Sequence, residues 1–596
     1  MIELRGEKAK RLKEGRLYSY QKDIAERVLE GGLHILVAPT GAGKTLAALL
    51  PFLEGFEERI RHSMYHVLPT RSLANRFFRD YIEGYFGYRY EGETSQRIGE
   101  LKIGLEYGGI AGTRRFMSTE IVVSTRDVFV YSLVGSSITG GYPDVPMGFI
   151  AGSYVVLDEV QMLQDEFSYG PRILKKVVET LLKIDSTVLI ITATFPKKYL
   201  RLLAEYDPKV YIVGTEDPYS LEGIDLRLYP EDVEKISANR ASGDRYKIYA
   251  RTSKEPLEEI IETAKDYASR GKTLVVLNTV DDAIKAYKRL KDEFGEGVLL
   301  LHSRFTENDR KRKESLVDEA KLIVATQVVE AGLDLPDISY VVTYLAPVDA
   351  MIQRLGRAGR GSDYAEAVIV IPEDLDKGLP PYFYLGKALE VVKDSAEKVE
   401  ELAQAMSDAS IATKLVSEMF EAIEDPFEQA SLLRFKDAKD KVKKREFREI
   451  ITNLHRAYRA LETLSINEFT DDIRARPGDY VVLAIKLSKE SRPNFLRLPR
   501  ILLQKISKDG KVEERIKVKA YLDRKTLEPN TLSSPLGAIY VYDNIGIPVL
   551  EPTEEPLEKK DSTEEKPKKR SKKRKKEEEE VRRYDPELGF RFEIRR

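Results

Sequence analysis

Short apolar runs of three to five residues punctuate the chain, and each is closed by polar residues. In the first half they fall at 33–37, 64–68, 121–123, 154–157 and 188–191. In the second half they fall at 246–249, 274–277, 298–301, 322–325, 340–342 and 367–371. Helical spacing fills the intervals. The pattern predicts buried strands alternating with helices, hence parallel sheets covered on both faces with ligands at the strands' C-terminal ends. The fold class is α/β, with two doubly wound parallel-sheet domains in tandem, at 1–215 and 246–375. A polar linker at 216–245 joins them. The stretch 385–464 reads as helical, giving an accessory region at 376–470. The stretch 480–550 turns β-like, clearest at 481–485 and 538–542, giving a small β-rich domain at 471–550. From 551 to 596 the composition predicts a charged, disordered tail.

The residues that close the runs carry the candidate chemistry. After 33–37 comes Ala38-Pro39-Thr40-Gly41-Ala42-Gly43-Lys44-Thr45, followed by a helical start. Strand, glycine-rich turn and helix start is the context in which a phosphate loop works. Free N–H groups of the turn (Thr40, Gly41, Ala42, Gly43) and the helix dipole attract anionic oxygens. Lys44 would reach the β- and γ-phosphates, and the Thr45 hydroxyl would ligate Mg²⁺. Ala38 stands where the strict pattern has Gly. Upstream, the amide of Gln21 can pair with two edges of adenine, with Tyr18 able to stack on the base. The same residues read equally as a helix cap beside two core tyrosines.

Run 154–157 ends in Asp158-Glu159. An acid closing a buried strand beside a phosphate loop can hold Mg²⁺ through its water shell. The adjacent Glu can orient and deprotonate the water that attacks the γ-phosphate. The second half has no phosphate loop. Its runs end instead in His302-Ser303-Arg304, Ala325-Thr326-Gln327, Glu330-Ala331-Gly332-Leu333-Asp334 and Gln353-Arg354-Leu355-Gly356-Arg357-Ala358-Gly359-Arg360. Arg357 and Arg360, three apart, share a helical face. Presented across a cleft to the other domain's nucleotide they would act as arginine fingers, worth about 10³–10⁵ in rate.

Composition narrows this picture without redirecting it. A chain of 596 residues exceeds the ~250–300 that one core supports. With 97 Lys+Arg against 99 Asp+Glu, any nucleic-acid surface must be a local stripe. The absence of cysteine excludes disulfides, thiolate zinc sites and iron–sulfur clusters. No run approaches the ~20 apolar residues of a membrane span, and a cytoplasmic protein is expected.

The order of these motifs, over about 17–372, resembles the superfamily 2 helicases, whose two RecA-like domains clamp ATP between them. Three stretches resemble one branch, the CRISPR-associated helicase of type I interference systems. They are His302-Ser303-Arg304-Phe305 with Asp309-Arg310, then Ala325-Thr326-Gln327-Val328-Val329-Glu330-Ala331-Gly332-Leu333-Asp334-Leu335, and Leu345-Ala346-Pro347 before Gln353-Arg354-Leu355-Gly356-Arg357. The resemblance implies a hydrolase dependent on ATP and Mg²⁺. Gln21 would read adenine, Lys44 and Thr45 would hold phosphate and metal, Asp158 would ligate metal, Glu159 would activate water and Asp334 would touch the ribose. Arg357 and Arg360 would complete the γ-phosphate site. Thr70-Arg71, Thr125-Arg126 and Ser303-Arg304 would grip a nucleic-acid backbone without reading its sequence. Gln161, Thr192, Thr194 and Gln353 would couple hydrolysis to movement, although the branch usually carries His where Gln161 stands. The implied partners are single-stranded DNA, an RNA-guided type I interference complex and a nuclease. Fused members carry an N-terminal His-Asp (HD) nuclease domain. Here the phosphate loop begins at residue 38, and none of His34, His62, His66, His302 and His455 is followed by Asp. A stand-alone form with a separate HD nuclease is therefore expected.

The insertion 81–115 interleaves Tyr85, Phe86, Tyr88 and Tyr90 with Arg89, Arg97, Lys102, Arg114 and Arg115. Base stacking would suit that pattern, but local packing is the favoured reading. The stretch 434–459, dense in Lys and Arg, reads equally as a strand-exit lining and as a solvated face. The leading function is an ATP-driven translocase on single-stranded DNA that unwinds duplex. The same motifs also suit an RNA or DNA-repair helicase of the superfamily, or an ATP-gated nucleic-acid clamp that does not unwind.

Overall fold

Strands that are apolar on both sides must be covered on both sides, and the chain does this twice. The computed structural model describes residues 4–107, 110–111, 117–135, 145–163, 169–238, 246–330, 335, 337–359, 364–376, 378–423 and 454–462, with the backbone of short strands between 480 and 595. The chain divides into two compact units, residues 1–299 with 317–477, and residues 300–316 with 478–596. Among the described residues no helix is long and apolar enough to cross a membrane.

The first sheet contains β1 (Leu33–Val37), β2 (Met64–Leu68), β3 (Ser95–Ile98), β4 (Leu101–Tyr107), β5 (Ile110–Ala111), β6 (Ile121–Thr125), β7 (Tyr154–Asp158), β8 (Thr187–Thr192), β9 (Lys209–Ile212) and β10 (Asp225–Leu228). Their order is β10-β9-β1-β8-β7-β2-β6-β4-β3, with β5 pairing off β4. All pairings from β10 to β4 are parallel, and β3 and β5 run antiparallel at the margin. β1, β2, β6, β7 and β8 are buried along their whole length, as the central strands of a two-sided sheet must be. The second sheet has β11 (Tyr246–Ser253), β12 (Thr273–Val276), β13 (Val298–Leu301), β14 (Leu322–Ala325), β15 (Tyr340–Tyr344) and β16 (Ala365–Pro372), ordered β11-β16-β15-β12-β14-β13.

Two segments, 216–245 and the C-terminal tail, differ from expectation, and a third, 81–115, packs locally as favoured. The supposed linker 216–245 carries β10 and a helix, Pro230–Ser237, and β10 completes the edge of the first sheet. Its exposure alternates residue by residue, so it lacks the continuous apolar run that marks central strands. The supposed insertion 81–115 supplies β3, β4 and β5. Tyr81, Tyr85 and Phe86 are core, while Tyr88 is exposed, so packing dominates there. In the second unit, Glu579–Asp585 pairs antiparallel with Gly589–Arg595 inside the tail read as disordered. The alternation Phe590-Arg591-Phe592-Glu593-Ile594 is the strand signal that bulk charge concealed. Tyr480–Ile485 pairs with Asn494–Pro499, in line with a β-rich segment. The expected strand at 538–542, the basic stretch 434–453 and the tail 551–578 lie outside the described residues.

One helix of the accessory region, Ala409–Ala422, ties the two sheets together. Asp408 caps it, accepting from Ser410 N (2.8 Å) and Ile411 N (3.3 Å). Toward the first sheet, Ala409 N donates to Val213 O (2.9 Å), Phe195 N to Thr413 Oγ1 (3.4 Å) and Lys197 N to Ser417 Oγ (3.0 Å). Toward the second, Val348 N donates to Met419 Sδ (3.3 Å). At Gly214 a Cβ would sit 2.5 Å from Ser410 Cβ and 2.8 Å from its backbone N. Gly214→Ala should therefore destabilise the fold by about 1–3 kcal/mol, the usual cost of overpacking, read from urea unfolding of the purified chain.

Candidate nucleotide site and nucleic-acid contacts

The loop after β1 bends where glycine permits it. Gly41 (φ +82°) and Gly43 (φ +90°) occupy the left-handed region, which costs glycine nothing. Gly43 caps the helix Lys44–Glu57, so the loop's N–H groups and the helix start face the same concavity. Lys44 Nζ donates to Ala38 O (2.8 Å) and Pro39 O (3.2 Å), placing the ammonium within the loop. Tyr20 OH donates to Ala42 O (2.7 Å), and Gln21 Nε2 to Gly43 O (3.0 Å). Gln21 Oε1 meanwhile accepts from Tyr18 N (3.0 Å). Gln21 is 1 % exposed and both ends of its amide are engaged within the chain. The helix-cap reading is the one this geometry realises. Gln21 thereby caps the helix and braces the loop at once.

β7 delivers Asp158 and Glu159 beside that loop. Asp158 Oδ1 accepts from Glu159 N (2.8 Å), and Oδ2 from His66 Nε2 (3.0 Å). Glu159 adopts φ +54°, a region that non-glycine residues occupy at a cost and that clusters at functional sites. Burial pushes its carboxyl above the usual range and the charge of Asp158 adds to that. Lys44, Gln161 and Arg357 pull the other way. A base tuned upward by burial is the kind that can take a proton from water. Gln161 Nε2 donates to Glu159 Oε2, and Gln161 Oε1 accepts from Thr192 Oγ1 (2.5 Å). Thr192 in turn contacts Thr194 through its backbone oxygen (2.6 Å) and N–H (3.3 Å). Glutamine therefore joins the acid to the Thr-Ala-Thr segment, as a neutral imidazole with one donor and one acceptor could. Gln353 is buried in the helix Val348–Leu355.

The second sheet meets the site through the end of that helix. Gly356 lies so near the loop that a Cβ there would come within 3.1 Å of Thr40 Oγ1. Next to it, Arg357 is 6 % exposed, donates to Glu330 O and acts electrostatically on Glu159. Arg354, which sequence reasoning passed over, is fully buried. It donates to Glu330 Oε1 (2.8 Å), Asn278 Oδ1 (2.9 Å), Thr343 Oγ1 (3.0 Å) and Tyr382 OH (2.8 Å), fixing the segment that carries Arg357. Burial raises Asp349, in the first turn of the same helix, to about 7. Arg360 and Asp334 lie outside the described residues.

The expected strand contacts sit at the ends of neighbouring strands, with Leu68 of β2 paired to Thr125 of β6. Thr70 caps the helix Arg71–Arg79, accepting from Leu73 N (3.3 Å). The Arg71 guanidinium lies 5.6 Å from the Tyr107 ring centre. Thr125 caps the helix Arg126–Leu133. In the other unit, Ser303 is exposed and Arg304 N donates to His302 Nδ1 (3.1 Å).

With this geometry in view, the comparisons with known proteins can be read. Residues 18–202 match the family of DEAD/DEAH box helicases, and 269–363 match the C-terminal part of the CRISPR-associated nuclease/helicase Cas3. The CRISPR-associated helicase Cas3 of Thermoproteus tenax is 28 % identical over 365 residues, 58 % of this chain and 57 % of that protein. The chain is thus similar to the superfamily 2 helicases of the Cas3 type. Its fold agrees with the Cas3–ADP crystal structure from T. fusca (TM-score 0.58, 18 % identity), covering 92 % of this chain and 69 % of that one. A CRISPR RNA-guided surveillance complex in its pre-nicking state gives a TM-score of 0.56 at 17 % identity, covering 98 % and 71 %. The chain spans about half the length of the curated Cas3 relatives it matches.

Within this Cas3-type frame two measurements check the site. Replacing Gln161 by Ala should lower kcat about 10- to 100-fold, the loss of a hydrogen bond to a charged group, while Gln161→His should restore most of it. Single-turnover hydrolysis distinguishes the two. For Asp349, a raised folded-state pKa means the stability it lends is full below about 4 and lost as pH rises through about 7. Asp349→Asn should therefore stabilise the fold at about pH 8 and progressively less toward about pH 4, as followed by urea melts.

Proposed function

We propose that the chain is an ATP-driven translocase that moves on single-stranded DNA and unwinds duplex. Its setting would be type I CRISPR interference, at the strand displaced by an RNA-guided complex. The observation that carries this reading is the meeting of the two sheets at the phosphate loop, where Gly356 of the second packs against Thr40 of the first and the next residue, Arg357, is buried. A loop from one sheet and an arginine from the other is the division of labour that phosphoryl transfer requires. The Cas3 relatives and the surveillance-complex match supply the setting. The five histidines, none followed by Asp, motivate a separate HD nuclease for cleavage.

In this reading the loop N–H groups and Lys44 bind the triphosphate, and Thr45 and Asp158 hold the magnesium. The donor set fits that ion. One carboxylate and one hydroxyl leave most of an octahedral shell to phosphate oxygens and water, and among the described residues no group of three acidic or imidazole side chains could hold a metal alone. Magnesium, when bound, neutralises charge developing between the β- and γ-phosphates. Glu159 orients the attacking water and accepts its proton, and Arg357 stabilises the charge on the γ-phosphoryl oxygens. Thr70-Arg71 and Thr125-Arg126 hold the DNA backbone on the first lobe, and Ser303-Arg304 adds a further grip. Alternate closing and opening of the cleft advances the strand.

Lys44→Ala, Glu159→Gln and Arg357→Ala should each reduce DNA-stimulated ATP hydrolysis by at least about 10³-fold, with Glu159→Gln retaining ATP binding. A strand-displacement assay with single-stranded overhangs tests the unwinding itself. Stimulated hydrolysis without displacement would favour the clamp, and stimulation by RNA in place of DNA would move the substrate.

A further inference from the structure

A tyrosine and a histidine outside every recognised motif converge on Asp158, the carboxylate of the proposed magnesium site. The helix Arg71–Arg79 runs into a π-turn, Asp80–Tyr85, closed by Phe86 N donating to Tyr81 O (3.0 Å). Such turns occur mostly at functional sites. Tyr81 and Tyr85, four apart, lie with ring centres 6.0 Å apart, and both are buried.

The Tyr81 hydroxyl lies 2.5 Å from His66 Nδ1, and His66 Nε2 lies 3.0 Å from Asp158 Oδ2. An ionised Asp158 only accepts, so Nε2 carries the proton, Nδ1 accepts, and Tyr81 O–H donates. Burial keeps Tyr81 well above its ordinary pKa and hence protonated. The sheet register makes this arrangement possible. His66 of β2 pairs with Val156 of β7, and Asp158, two residues further along β7, projects on that same face.

We propose that His66 and Tyr81 are positioning residues for magnesium, with the π-turn holding Asp158 through Tyr81 and His66. Asp158 Oδ1 is fixed by Glu159 N and Oδ2 by His66, which locks the carboxylate plane. Outer-shell partners of this kind cost about 10- to 100-fold in metal affinity when removed. The inference rests on the nucleotide-site reading above.

The test is calorimetric binding of AMP-PNP to the full chain, with EDTA or with increasing MgCl₂, so that no turnover enters the readout. His66→Gln and Tyr81→Phe should each raise the half-saturating Mg²⁺ about 10-fold or more, leaving metal-free AMP-PNP affinity unchanged. Because Tyr81 acts through His66, the double variant His66→Gln/Tyr81→Phe should be no worse than His66→Gln alone. Should His66→Gln fail to fold, Tyr81→Phe, which lacks a single oxygen, still decides. Wild-type Mg²⁺ dependence in Tyr81→Phe would overturn the proposal. Wild-type chain that binds AMP-PNP with no response to Mg²⁺ would instead overturn the nucleotide-site reading.

Discussion

A carboxylate held away from water needs cations close by, and Glu159 draws its two from different sheets. Burying an ion costs several kcal/mol even after relaxation, so a first lobe alone, with Asp158 adjacent, would favour the protonated acid. Lys44 offsets part of that cost and is always present, being fixed on the loop after β1. Arg357 arrives only with the second sheet. In the mechanism proposed above, the base would thus be electrostatically linked to closure of the cleft. Withdrawing the arginine would remove the charge offered to the transition state and would also favour the protonated form of Glu159.

That link makes the connection between the sheets consequential. The helix Ala409–Ala422 touches the first lobe at Val213 and just past Thr194, at Phe195 and Lys197, and touches the second at the start of the Arg357 helix. Its first turn is closely packed against Gly214, while its C-terminal half contributes an exposed ion pair, Arg201–Glu421. Exposed pairs of this kind are worth little. The C-terminal half of the helix is buried too, through Val416, Met419 and Phe420, so the helix holds both sheets along its length.

The central strands of both sheets were legible because each is apolar over its whole length, and the phosphate loop because only a strand and a helix start give it meaning. What escaped notice was polar or short. β10 alternates in exposure and looks like linker, and β4 hides between aromatic and basic residues that suggest a binding surface. Gln21 was ambiguous because one amide serves equally to read a base, cap a helix or brace a loop, and only coordinates say which partners are within reach. His66 was invisible for a different reason. A lone histidine in an apolar strand reads as core, and its partners lie 15 and 92 residues away, distances that no local pattern encodes. Arg354 was similarly masked by the more famous chemistry of its neighbour Arg357, although a guanidinium buried in a helix declares a network by its burial alone.

The one irregularity within the phosphate-loop motif has a simple cause in the same ladder of contacts. Ala38 stands where glycine is usual, yet it continues the ladder of contacts one residue past β1. Its N–H donates to Thr192 O (3.1 Å), its methyl is buried in the main core, and only Gly41 and Gly43 take left-handed backbone in the loop. Glycine at 38 would supply freedom that this backbone does not use. The bond to Thr192 has a further consequence. Thr192 holds the root of the phosphate loop with its carbonyl and Gln161, hence Glu159, with its hydroxyl. A displacement at the Thr-Ala-Thr segment therefore reaches the cradle and the base together, which is the geometry expected of an element that converts the state of the nucleotide into movement.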